Sequence, residues 1–63
     1  EIENMINKGD KVIYRETFTG QVQTLTYTGI RREIKEVMFD FFTNEKGESV
    51  FFTPSEVENM QKI

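Results

Sequence analysis

A chain of 63 residues with neither a cysteine nor a histidine must hold itself together by apolar packing. No disulfide can staple it, and the usual ligands of a structural zinc are missing. A domain this short buries only about 60% of the surface its unfolded chain exposes. Its core material is six phenylalanines and two tyrosines, with no tryptophan. Aromatic side chains bury much area per residue and favour strands, so the sequence predicts one small β domain with no room for a deep substrate cavity. The same absences bear on function, because histidine is the most frequent general base and cysteine the strongest nucleophile. The expectation is a protein that is not an enzyme and uses no cofactor or metal.

Residues 1–8 read as an N-terminal arm and residues 9–63 as the folded domain. In the arm, Ile2, Met5 and Ile6 stand at helical spacing. The arm opens on the acidic Glu1-Ile2-Glu3-Asn4, unlike a signal peptide, and Met5 is a candidate native start. No apolar run approaches the length of a membrane span. These features lead to the expectation of a cytoplasmic protein without a membrane partner.

Gly9-Asp10 signals a turn, followed by a strand over Lys11–Arg15, a loop over Glu16–Gly20 and a strand over Gln21–Thr28. The apolar positions change parity between Val22 and Leu25, which predicts a bulge or sharp bend between them. Gly29–Glu33 reads as a connector, Lys35–Thr43 as a third strand and Glu48–Thr53 as a fourth. A four-residue turn, Asn44-Glu45-Lys46-Gly47, would pair Thr43 with Glu48, Phe41 with Val50 and Phe39 with Phe52. Val37, Phe39, Phe41, Val50 and Phe52 then share a wholly apolar face, the expected core. Met38, Asp40, Phe42, Ser49, Phe51 and Thr53 fall outward. A three-residue loop over 45–47 would split the apolar set between faces, so the four-residue turn is preferred. Thr53-Pro54-Ser55-Glu56 carries the signature of a capping box, and Val57, Met60 and Ile63 follow at helical spacing.

The order of these signals resembles a known group of small barrels. Gly9-Asp10 opens a strand reading Lys11-Val12-Ile13-Tyr14. Phe18-Thr19-Gly20-Gln21-Val22 leads into a long strand, and the hairpin Val37-Met38-Phe39-Asp40-Phe41 to Val50-Phe51-Phe52 closes on Pro54-Ser55-Glu56-Val57. Over roughly residues 9–57 this is similar to the Tudor-like domain of UvrD/PcrA-type helicases and to the RNA-polymerase-interacting domain of CarD-type proteins. The resemblance implies an all-β fold: a small SH3-like (Tudor-like) barrel of four or five antiparallel strands with a short C-terminal helical turn. It also implies a bacterial or phage setting and RNA polymerase as a candidate partner.

The leading functional expectation is a protein-protein interaction adaptor. The outward set Met38, Phe42 and Phe51 forms its contact surface, with Asp40 among them to orient a partner's cation or hydrogen-bond donor. The bland alternative is that the N-terminal arm, the Ile30 loop or the C-terminal helix covers this set. Tyr14 and Phe18 flank the first loop and, with Phe42, could form a cage for a methylated cation; core packing is the competing role. A second expectation is nucleic-acid binding through Arg31, Arg32 and Lys35, the one basic cluster, with Thr28 and Gly29 beside them. Against it stand the interleaved Glu33 and Glu36 and a formal net charge of -3. A third is a phage or mobile-element accessory protein that acts as a homo-oligomer with its apolar face buried between copies.

Overall fold

A computed structural model describes residues 6–63. Five antiparallel strands form one sheet: β1 Lys11–Arg15, β2 Val22–Ile34, β3 Val37–Thr43, β4 Ser49–Phe52 and β5 Gln61–Lys62. A short helix, α1 Pro54–Glu58, separates the last two. The spatial order is β4-β3-β2-β1-β5.

The sheet is open. This corrects the expected SH3-like or Tudor-like barrel, although the antiparallel strands and the helical turn stand. Closure requires the two edge strands to pair, and here β4 and β5 remain the edges. Both are short, at four and two residues. The ladder cannot run on past β4, because the Thr53 backbone N–H donates to the Glu56 carboxylate at 2.9 Å. Pro54, next in the chain, has no N–H to give. With Pro54 opening α1 and Glu56 closing its capping box, the same four residues that start the helix also end β4.

The helix stops at Glu58, and the chain turns back to lay β5 against β1, pairing Val12 with Lys62 and Ile13 with Gln61. The expected helical trio of Val57, Met60 and Ile63 is therefore broken up. Met60 is buried and Val57 packs against the core, whereas Ile63 is exposed. At the other end, Asn7 and Asp10 close the turn before β1: the Asp10 N–H donates to the Asn7 carbonyl, and the Asn7 N–H to Asp10 Oδ2. Ile6 packs against the core. The helical spacing that involves Ile2 and Met5 lies outside the described residues.

The second strand is much longer than its sequence suggests. The segment read as a connector, Gly29–Glu33, belongs to β2. No register shift occurs between Val22 and Leu25, since β1 pairs in step with both. Val22 simply faces out while Leu25 is fully buried. The irregularity comes later, between Tyr27 and Ile30, where Thr28 and Gly29 bulge out of the ladder with β3. The Thr28 hydroxyl donates to the Phe41 carbonyl at 2.7 Å and accepts the Ile30 N–H at 3.2 Å, which bridges the gap. Gly29 sits at φ +83, where a side chain would be strained and a Cβ would meet Lys8 Cβ at 3.0 Å. Beyond the bulge, β2 turns into β3 through Lys35 and Glu36, both in the left-handed region at φ 52 and φ 67.

The β3–β4 hairpin takes the three-residue loop that the sequence reading set aside. Thr43 pairs with Ser49, Phe42 with Val50, Phe41 with Phe51 and Asp40 with Phe52. Asn44 explains the choice. Its backbone N–H donates to the Glu48 carbonyl, and its Oδ1 accepts the N–H groups of both Lys46 and Glu48 at 2.9 Å. Gly47 donates to the Asn44 carbonyl and sits at φ +83, the left-handed position that ends such a loop. Relative to the expected pairing, the slip by one sets Val50 and Phe52 on the face of Phe42 and Asp40 instead of that of Phe41 and Phe39.

The core therefore takes the row of β3 that was expected outward, while Val50 and Phe52 of β4 face it as expected. Val12, Tyr14, Leu25, Phe42 and Met60 are buried, with Ile6, Tyr27, Val50, Phe52 and Val57 packed against them. Aromatic pairs tie it together: Tyr14 lies 4.9 Å from Phe52, Tyr27 5.0 Å from Phe42, and Phe42 5.7 Å from Phe52 between ring centres. Burying Phe42 completely contributes on the order of 2–3 kcal/mol.

Candidate functional site: the outer face of β2, β3 and β4

Cross-strand partners share a face of a sheet and alternate residues share a side of a strand. The register accordingly places Ile30, Arg32 and Ile34 of β2 on the same face as Val37, Phe39 and Phe41 of β3 and Phe51 of β4. This is the face turned away from Phe42 and the core. Ile30, Ile34, Val37 and Phe51 are exposed at 44%, 46%, 43% and 57%, and Phe39 and Phe41 are half-buried. The three phenylalanine rings lean on one another. Phe51 meets Phe39 edge-on at 5.2 Å and lies 5.7 Å from Phe41 at a tilt of 55°. An antiparallel sheet of this kind normally turns a polar face to water. Contiguous apolar exposure of this sort marks interaction surfaces.

The expected contact surface of Met38, Asp40, Phe42 and Phe51 is not one surface. Phe42 is fully buried and belongs to the core, Met38 is half-buried on the same side, and Phe51 lies on the opposite face. Asp40 is 2% exposed rather than outward. It accepts the Tyr27 hydroxyl at 2.9 Å on Oδ1, and Arg31 grips both carboxylate oxygens, Nε to Oδ1 at 2.9 Å and Nη2 to Oδ2 at 3.2 Å. A buried carboxylate is tolerated only with such partners. The Asp40 hydrogen bond holds the Arg31 guanidinium even more firmly in its charged form. Burial and the same carboxylate push the Tyr27 hydroxyl above its ordinary value. Asp40 thus anchors the fold and has no free oxygen aimed at a partner.

The aromatic cage does not assemble. Tyr14 and Phe42 are core residues, while Phe18 stands 94% exposed on the β1–β2 loop. That loop is braced: the Arg15 guanidinium donates to the Gly20 carbonyl at 3.2 Å, and the Thr19 hydroxyl donates to Glu16 at 2.8 Å. The basic cluster also separates. Arg31 is committed to Asp40 on the inner side, Arg32 points to the outer face, and Lys35 sits in the turn. Thr28, considered for a phosphate grip, spends its hydroxyl on the Phe41 carbonyl.

A shallow groove of about 500 Å³ runs beside β1, lined by Ile13, Tyr14, Arg15, Val22, Glu56 and Asn59. Its charged groups already serve the fold, Glu56 in the capping box and Arg15 in the loop. Among the described residues, no group of three or more acidic, histidine or cysteine side chains is placed to hold a metal ion. Nor is any helix long and apolar enough to cross a membrane.

Ile30, Ile34, Val37, Phe39 and Phe41 were absent from the candidates read from sequence. The alternation Ile30, Arg32, Ile34 carries the signal that marks them as a strand, set against Val37, Phe39 and Phe41. It is masked because Lys35-Glu36 lacks the glycine or asparagine that two left-handed turn residues ordinarily call for.

No protein-family model, curated protein or solved structure matches the chain. The resemblance to helicase and CarD-type barrels thus has neither a matching relative nor a closed barrel behind it. The RNA-polymerase partner it implied loses its ground.

Proposed function

We propose that the chain is a non-enzymatic protein-binding module whose contact surface is the outer face of β2, β3 and β4. The observation that carries this reading is the run of Ile30, Ile34, Val37, Phe39, Phe41 and Phe51 on one exposed sheet face of a very small domain. Apolar area left in water on this scale costs solubility, and interaction surfaces are where proteins retain it. Aromatic residues at the centre of a patch are also the usual anchors of protein interfaces.

Immobilised protein exposed to lysate of the cells that carry it, at high salt and after nuclease, should retain a partner. Phe51→Asp should abolish capture, whereas Phe18→Asp on the β1–β2 loop should leave it intact. Capture that survives Phe51→Asp, or that disappears with nuclease, overturns the reading.

A further inference from the structure

One charge interrupts the outer face. Arg32 stands opposite Phe39, between Ile30 and Ile34 along its own strand. It is exposed, and among the described residues it has neither an ion-pair nor a hydrogen-bond partner. The contrast with its neighbour is sharp, since Arg31 is held by two bonds to Asp40. No acidic side chain shares the face on any of its three strands; beside Arg32 the residues there are Val22, Thr24, Thr26, Ile30 and Ile34 of β2, Val37, Phe39, Phe41 and Thr43 of β3, and Ser49 and Phe51 of β4. A guanidinium that is covered by an apolar partner without a counter-charge loses its hydration and gains nothing.

From this we infer that the face takes a segment of another protein that is apolar apart from one carboxylate, placed to pair with Arg32. The inference rests on the reading of this face as a protein-binding surface and adds the chemistry of its occupant. A planar fork of N–H donors set among rings and aliphatic groups suits a carboxylate in two-point contact, with apolar neighbours on either side of it. Two other occupants fit less well. A second copy of the chain, docked face to face about a two-fold axis, brings two unpaired Arg32 side chains into one interface that supplies no carboxylate. Single-stranded nucleic acid needs flat ring faces and several cations. Here the phenylalanine rings tilt against one another, Arg31 is already neutralised, and the chain is acidic overall.

A displayed library of random peptides, selected on the immobilised protein, tests this directly. The expected result is enrichment of apolar peptides that carry one Asp or Glu. Replacing that acid by its amide weakens a synthetic copy by about tenfold. Arg32→Gln gives the same loss, and Arg32→Glu shifts the selected residue to Lys or Arg. Because Arg32 is exposed and has no partner among the described residues, both variants retain the fold, which unfolding curves verify. Apolar peptides that are lost with Phe51→Asp but show no acidic preference and ignore Arg32→Glu overturn the inference while leaving the binding face in place. Failure to enrich peptides, or peptides indifferent to Phe51→Asp, overturns both. A dimer in sedimentation that Phe51→Asp dissociates, or salt-sensitive binding of a fluorescent oligonucleotide, assigns the face to a different occupant and overturns the inference as well.

Discussion

Strand β3 presents two rows of side chains that differ in the opposite sense from what composition suggests. The row turned inward contains Asp40 beside Phe42, and the row turned to water contains Val37, Phe39 and Phe41. The inner row works because its carboxylate is fully partnered by Tyr27 and Arg31, and no buried side-chain polar atom among the described residues lacks a partner. The outer row is built from residues that ordinarily form a core, yet among the described residues nothing buries it: Val37 is exposed and Phe39 and Phe41 are only half-buried. Hydrophobicity alone does not say which row is inside; satisfaction of the polar member and the geometry of the flanking loops decide.

The largest expected effect separates the two rows by stability. Phe42→Ala should destabilise the fold by about 3–5 kcal/mol, through lost burial and the cavity left behind. Phe51→Ala, on the exposed face, should cost no more than about 0.5–1 kcal/mol. Denaturant unfolding measures both, and equal losses would erase the distinction between core and outer face. The next effect separates the adjacent arginines. Arg31→Leu leaves the Asp40 carboxylate short of its cation and should cost on the order of 1–3 kcal/mol. Arg32→Leu should stay within about 0.5 kcal/mol of the parent. A reversal of that order in thermal melts would mean that the side-chain assignment of β2 is wrong.

The smallest effect is a pH dependence confined to the inner side. Burial raises the hydroxyls of Tyr14 and Tyr27 above the ordinary 10.0, so the fold favours their protonated forms. That contribution is complete below pH 10 and is lost as the pH rises through the raised values. Alkaline titration should therefore show tyrosinate absorbance appearing together with loss of the fold. Phe51→Ala should leave the midpoint in place. Tyrosines that ionise freely in the intact fold would contradict their burial.

Much of the architecture was legible in the sequence. Strand β1, the body of β3 from Val37 to Thr43, the body of β4 and the capping box at Thr53–Glu56 follow from local signals, because each rests on a few adjacent residues, whereas Lys35 and Glu36, expected at the start of the third strand, form the turn before it. Two things were hidden. A one-residue difference in the Asn44–Glu48 loop decides which row of β3 shares a face with Val50 and Phe52, and the deciding interaction is the Asn44 side chain bonding two backbone N–H groups, which apolar patterning does not register. Closure of the sheet depends on whether its remote edges meet, which no local signal reports. For the site, Phe51 and Arg32 were both singled out from sequence, but for different surfaces. What joins them is the long β2–β3 pairing, hidden by a turn with unremarkable residues.

That turn has a consequence for motion. Lys35 and Glu36 both hold a backbone conformation that side chains with a Cβ disfavour, and the hairpin tip they close carries no buried residue from Gly29 to Val37. The domain should therefore breathe from this end, with the amides around Ile34 and Val37 opening by local fraying while those of Val12 and Leu25 wait for global unfolding. Half of the apolar face rides on that tip, so the surface that meets a partner is also the part of the sheet that adjusts at the least cost to the rest.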